Sequence, residues 1–193
     1  MQLSKDLIIK TSLDILHSYG LADMTMRRLA RQLGVAPGAL YWHFQNKQAL
    51  IDATAREILK PFLANTTPVS SPASTPHRFI TTCTQLRTLM LSYRDGAELI
   101  GAALADEHLR QELEQQLMLT LDFCPSALRE TVAQTTVHFI LGATTVEQLQ
   151  QQRHDVEISM SSPSPERESH GDESFLAGIS LILNGAISHS SRL

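Results

Sequence analysis

Two cysteines, one tryptophan and a 5% share of aromatic residues are all that the 193-residue chain holds of these types. Cys83 and Cys124 are too few for a disulfide framework, so core packing must hold the fold, and a reducing cytosol is the expected compartment. No run of eighteen apolar residues occurs, which excludes a conventional membrane-spanning helix. Near the N-terminus Lys5, Asp6, Lys10 and Asp14 interrupt the apolar residues, unlike the core of a secretory signal. Also missing are a nucleophile elbow, a phosphate loop, a Cys–His pair and an HExxH motif, so nothing in the sequence supports an enzyme. The serines cluster in loop-like stretches, where flexible sequence explains them better than catalysis. Two-residue alternation of strand type and internal repeats are absent as well.

What remains is a composition of 42% hydrophobic and 19% charged residues, typical of a globular chain. A chain of this length buries roughly 70% of its unfolded surface and needs no metal or disulfide staple. The net charge of −4 is unevenly spread. Residues 1–62 carry an excess of three positive charges, and residues 63–193 an excess of seven negative ones. Any anionic partner is therefore expected to meet the N-terminal head.

Helical periodicity runs through the chain. Residues 4–19 place Ile9, Leu13 and Leu16 at four- and three-residue steps and end at Gly20. Residues 26–33 repeat Met26, Leu29, Ala30 and Leu33 behind Thr25, a plausible N-cap, and stop at Gly34. Pro37 suits the first turn of the next helix. Asn46 caps a helix predicted over 47–63, which Pro61 should bend or end. The Pro- and Ser-rich stretch 65–76 reads as a linker, followed by helices over 77–92, 107–122, 126–152 and 174–190. Asp95–Gly96 is a turn signal, and Ser159–Ser174 reads as a flexible loop. The expected architecture is all-α: a three-helix helix-turn-helix domain over 1–46, a connecting helix over 47–63, and a helical ligand-binding and dimerisation domain over 64–193.

The most informative stretch is TMRRLARQLGVAPGALYWHFQNKQAL, residues 25–50. A helix of about eight residues, a short turn holding Gly34 and a second short helix form a helix-turn-helix. In the second helix Leu40 and Phe44 face inward, leaving Gly38, Ala39, Trp42 and His43 opposite them and Tyr41 at the edge. A helix laid in a DNA major groove exposes such a face, because small residues let the backbone approach base edges while aromatics reach methyls and phosphates. Interhelical packing of Tyr41 and Trp42 is the alternative. Arg27, Arg28 and Lys47 sit in first turns, where a cation opposes the helix dipole unless an anion offsets it.

In register over about 60 residues, the opening helix, Thr25-x-Arg27, Leu33-Gly34-Val35, Leu40-Tyr41-x-His43 and Lys47-x-x-Leu50 closely resemble the tetracycline-repressor family of bacterial regulators. The resemblance implies that Arg27 reads a base, that Pro37, Gly38 and Ala39 face bases, and that Tyr41, Trp42, His43 and Lys47 hold the backbone or thymine methyls. SYRDGAEL, TTVHFILG and FLAGISLILNG extend a weaker likeness to the drug-sensing branch of that family across the body. That branch's metal-binding histidine and nearby threonine fall here on Ile100 and Ala103, and its drug-clasping histidine, asparagine and phenylalanine on Ala64, Thr82 and Leu86. Gln116 matches, and the acid contributed by the partner subunit is shifted from Val146 to Glu147.

Magnesium needs oxygen-rich ligation and a tetracycline needs convergent polar groups. Ile100 and Ala103 supply neither, so no metal or cofactor is expected, and the effector should be more apolar than a metal–tetracycline chelate. Candidate pocket residues are Thr82, Leu86, Ile100, Ala103, Gln116, His138 and Glu147, with core filling as the alternative for each apolar one. The branch's lid helix is expected to be shortened or absent at Ser159–Ser174, leaving a more open mouth. Gly178 and Gly185, one heptad apart, suggest a seam between two copies, with a tight crossing inside one chain as the alternative. The expected protein is a homodimeric repressor in the cytoplasm, released from a palindromic operator by a small-molecule effector and independent of any membrane. An activator of the same build, and a helical binder without DNA affinity, remain open.

Overall fold

The computed structural model describes residues 3–64, 75–158 and 168–190. They form α1 (Lys5–Tyr19), α2 (Met26–Leu33), α3 (Pro37–Tyr41), α4 (Lys47–Leu63), α5 (Thr75–Leu91), α6 (Gly96–Ala103), α7 (Glu107–Met118), α8 (Ser126–Ile158) and α9 (Glu168–Ser190). No strand occurs among the described residues, and none of their helices is long and apolar enough to cross a membrane. The chain divides into two compact units, 1–61 with 89–110, and 62–88 with 111–193. Residues 89–110 therefore pack with the head, which departs from a division at residue 64.

The helix boundaries of the first unit follow local chemistry. Ser4 Oγ accepts from the Leu7 N–H at 3.2 Å to open α1, and Gly20 closes it at φ 82° while donating to the Leu16 carbonyl. Thr25 Oγ1 accepts from the Arg28 N–H at 3.2 Å to open α2. Gly34 ends α2 in the left-handed region, where a side chain would be strained. Asn46 Oδ1 accepts from the Ala49 N–H at 2.8 Å and caps α4. Pro61, in the last turn of α4, removes one donor, and the helix stops at Leu63. Ile8, Ile15, Leu16, Met24, Leu29, Leu40, Leu50 and Leu59 are fully buried and build this unit's core.

α6 is a helix that periodicity did not reveal. It opens on Asp95, the one non-glycine residue with positive φ among those described (56°). The Asp95 carboxylate accepts from the Leu21 N–H at 2.8 Å, tying the turn to the end of α1. Gln48 of α4 donates to the Ala102 carbonyl at 3.1 Å, and Arg56 pairs with Asp106 at 3.5 Å. Burial pushes the Asp106 carboxyl up, but the His108 N–H and Arg56 outweigh it and hold the group below its ordinary range.

In the second unit α8 and α9 pack against each other and run antiparallel: Phe139 stacks on Phe175 at 5.8 Å, while Glu147 lies beside Gly171. Phe79, Leu86, Leu113, Leu117, Ile140 and Ile179 are among its fully buried residues. α8 runs on to Ile158, past the expected end at 152, and α9 begins at Glu168 rather than 174. The last part of the expected loop is thus helical, and 159–167 lies outside the described residues, as do 65–74 of the expected linker.

Gly178 sits at a close crossing inside the chain. A Cβ there would collide with the Phe139 ring of the same chain, so its missing side chain serves the α8–α9 crossing, the alternative reading of this glycine. Gly185 faces nothing within 4 Å. Gly178→Ala should therefore cost about 1–3 kcal/mol through overpacking, whereas Gly185→Ala should stabilise the isolated chain slightly through helix propensity. Urea denaturation of the two variants, compared at low protein concentration, checks the difference.

Candidate nucleic-acid interface

The eight residues expected at DNA all lie in the first unit, on α2, α3, the turn after α3 and the start of α4. α3 ends at Tyr41 and leaves Trp42 and His43 in the turn that follows it rather than on the helix. Leu40 is fully buried and Phe44 is 5% exposed, so α3 is pinned from beneath. The opposite side is open. Trp42 is 90% exposed and Tyr41 51%, while Pro37 and Gly38 are exposed, and Ala39 and His43 are half-buried. Trp42 therefore plays no part in interhelical packing. A tryptophan left almost wholly in water forgoes a large burial gain.

Arg27 projects from the first turn of α2, exposed and without an ion pair among the described residues. Lys47 is exposed on the first turn of α4. Arg28, which shares the awkward dipole position, is engaged inside the unit: it pairs with Asp23 at 2.6 Å and lies 3.7 Å from the centre of the Tyr19 ring. Pairing separates the two arginines where composition could not.

The body residues expected at an effector are divided between the two units. Ile100 and Ala103 are fully buried in the first unit, whereas Thr82, Leu86, Gln116, His138 and Glu147 belong to the second. Leu86 is fully buried and Thr82 half-buried. The Gln116 amide donates to the Leu63 carbonyl at 3.4 Å. His138 corrects its expectation as a pocket wall: it is exposed, one helical step from buried Val137, on the stripe that continues through Gly142 and Val146.

Glu147 is already held within its own chain. Arg87 of α5 donates to it from Nε at 3.0 Å and from Nη2 at 2.7 Å, and pairs through Nη1 with Asp172 of α9 at 2.7 Å. The Arg87 guanidinium also lies 4.9 Å from the Phe175 ring centre. Sequence reasoning missed Arg87, since its two acids are remote in the chain and only tertiary structure joins them. On the interior face of α8, Thr144 has the only buried side-chain oxygen among the described residues that lacks a hydrogen-bond partner. Thr54 and Thr136, by contrast, donate to the carbonyl one turn back.

Cys83 is buried, and burial raises its thiol pKa well above the ordinary value. Cys124 is raised too, by burial, with Arg129 pulling weakly the other way. Buried in this way, both thiols are poorly placed to act as nucleophiles. No group of three or more potential metal ligands occurs among the described residues.

The family described as bacterial regulatory proteins, tetR family, matches residues 8–54, the span that carries this open face. The tetracycline repressor protein class C of Escherichia coli is 30% identical over 199 aligned positions, covering 95% of this chain and 90% of that protein. The chain belongs to the tetracycline-repressor family. It is a DNA-binding transcriptional regulator and not an enzyme. Among solved structures, BioQ of Mycobacterium smegmatis is 32% identical with a TM-score of 0.78, covering 97% of this chain and 99% of that one. BioQ bound to its natural double-stranded DNA operator is 34% identical, with a TM-score of 0.75 over 97% of this chain and all of the other. Tetracycline-repressor family membership accounts for the helix-turn-helix and for the helical body in one stroke, across nearly the whole length.

Proposed function

We propose that this regulator is a homodimeric repressor acting in the cytoplasm, which holds a palindromic operator until a small-molecule effector releases it. The carrying observation is the α3 face, where Trp42 stands 90% exposed beside exposed Pro37, Gly38 and Tyr41. Arg27 reads a base edge; Pro37, Gly38 and Ala39 approach bases; Tyr41, Trp42, His43 and Lys47 hold phosphates or thymine methyls. BioQ, of the same architecture, is known with its operator, which supports the same docking here.

Two copies meet through an apolar face that one chain leaves open. Gly142, Val146 and Leu149 form an exposed stripe on α8, and Leu176, Leu181 and Ile187 are exposed on α9. Covering them in a two-fold four-helix bundle sets two heads about 34–36 Å apart, one duplex turn. α4 continues from the head-bearing unit into the body and is the natural lever between effector and DNA.

The effector is apolar and not a metal chelate. Ile100 and Ala103 offer no ligand atoms, and Glu147 is neutralised by Arg87. The free Thr144 hydroxyl supports one polar contact in an otherwise apolar ligand. Effector and operator must weaken each other by the same factor.

The test begins with selection of duplexes from a random library by the purified protein, followed by binding assays on the selected sequence. Arg27→Ala should cost about 1–3 kcal/mol on that duplex and relax discrimination at a single base pair. Equal loss on every sequence would assign Arg27 to a phosphate instead. Release of the duplex by neutral apolar compounds, with no requirement for magnesium, is the expected effector behaviour; magnesium-dependent release by tetracycline would contradict it.

A further inference from the structure

Two adjacent arginines leave the first turn of α2, and the structure treats them differently. Arg28 is committed three ways. Its backbone N–H is capped by Thr25 Oγ1 at 3.2 Å. Nη1 donates to Asp23 Oδ1 at 2.6 Å, and the guanidinium lies 3.7 Å from the centre of the Tyr19 ring. A guanidinium offers a planar face and a forked edge. Here Tyr19, the last residue of α1, takes the face, and Asp23, in the turn between the helices, takes part of the edge. Tyr19 is 50% exposed, so its ring serves as a platform more than as core. Arg27 has no ion pair or ring contact among the described residues.

We propose that Arg28 does not contact DNA and is instead the positioning residue for Arg27. By clamping the first turn of α2 between the end of α1 and Asp23, it fixes the direction in which the neighbouring Arg27 leaves the helix. The inference rests on Arg27 being the base reader. It implies that the head presents one phosphate-seeking cation fewer than its sequence suggests, and that base discrimination depends on a residue that touches no base.

The experiment measures affinity for a duplex selected by the wild-type protein, over a range of salt and for each single base-pair change. Arg28→Gln should leave the slope of log affinity against log salt unchanged, while discrimination at the base pair read by Arg27 falls about five-fold or more. Arg28→Lys keeps the charge but neither the plane nor the fork, and should lose the same discrimination. Tyr19→Leu should do so in part. Asp23→Asn frees Arg28 in both heads and should steepen the salt slope by about 1.8, one phosphate per head.

A slope shallower by about 1.8 in Arg28→Gln, one phosphate lost from each head, would place Arg28 on a phosphate and overturn the proposal. Undiminished discrimination in Arg28→Gln, Arg28→Lys and Tyr19→Leu would overturn it equally. Helical circular dichroism and melting of each variant guard against misfolding; should Arg28→Gln fail to fold, Arg28→Lys and Tyr19→Leu carry the same comparison. If Arg27→Ala leaves base preference intact, the base-reader assignment fails by itself, and the salt slope of Arg28→Gln still decides whether Arg28 lies on DNA.

Discussion

Arg87→Ala is expected to lower the stability of the body by about 3–5 kcal/mol, because it strands the Glu147 carboxylate against the α8–α9 packing. Arg87 is only 8% exposed and joins α5 to α8 and α9 through two carboxylates and the Phe175 ring. Removing one partner of a buried pair leaves an uncompensated charge, which costs more than the pair contributes when intact. The three members should therefore rank differently. Asp172, 66% exposed, is solvated when released, so Asp172→Ala should cost about 1 kcal/mol or less. Replacing Arg87 and Glu147 together by Met and Leu should recover most of the loss, since no charge then remains buried. Urea denaturation gives the order: a large drop in midpoint for Arg87→Ala, a small one for Asp172→Ala, and partial recovery in the double variant. Equal effects for Arg87→Ala and Asp172→Ala would show the cluster to be a surface ion pair.

The second large effect separates two residues that are near neighbours in sequence. Leu40→Ala should destabilise the head by about 2–5 kcal/mol, through lost burial and the cavity left under α3. Leu40 is fully buried, whereas Trp42 two residues later is 90% exposed. Trp42→Ala should change stability by no more than about 0.5 kcal/mol while sharply weakening operator binding. The first variant loses DNA because the recognition face is no longer held; the second keeps the face and loses a contact. Melting curves and gel shifts on both variants make the distinction. A Trp42→Ala protein that melts early and binds DNA normally would place that indole in a packing role.

Helix ends were the most legible part of this fold. Thr25, Gly34, Pro37 and Asn46 act locally, through caps and backbone freedom, and each does in the structure what its chemistry implies. The inward pair Leu40 and Phe44 was legible from its four-residue spacing, and both are buried although the helix stops at Tyr41 and Phe44 lies beyond it. α6 was not legible, because its start depends on Asp95 in a left-handed conformation secured by Leu21, a partner 74 residues away. The same limit hid Arg87, whose acids come from α8 and α9, and left the two readings of Gly178 unseparated, since its close neighbour Phe139 lies on another helix. His138 shows the limit of resemblance. A likeness in TTVHFILG carried no information on which side of α8 the imidazole would fall; the buried stripe through Val137 and Ile140 decided it.

The most direct test of the central claim is the salt dependence of binding by the wild-type protein to its selected duplex. A dimer using Arg27, Tyr41, Trp42, His43 and Lys47 from each head should select a palindrome with half-sites one duplex turn apart. Its affinity should fall by about 10³–10⁵ between 50 and 200 mM salt if six to ten phosphates are contacted. Selection of no sequence, or an affinity flat across that range, would contradict the assignment of the α3 face to operator DNA.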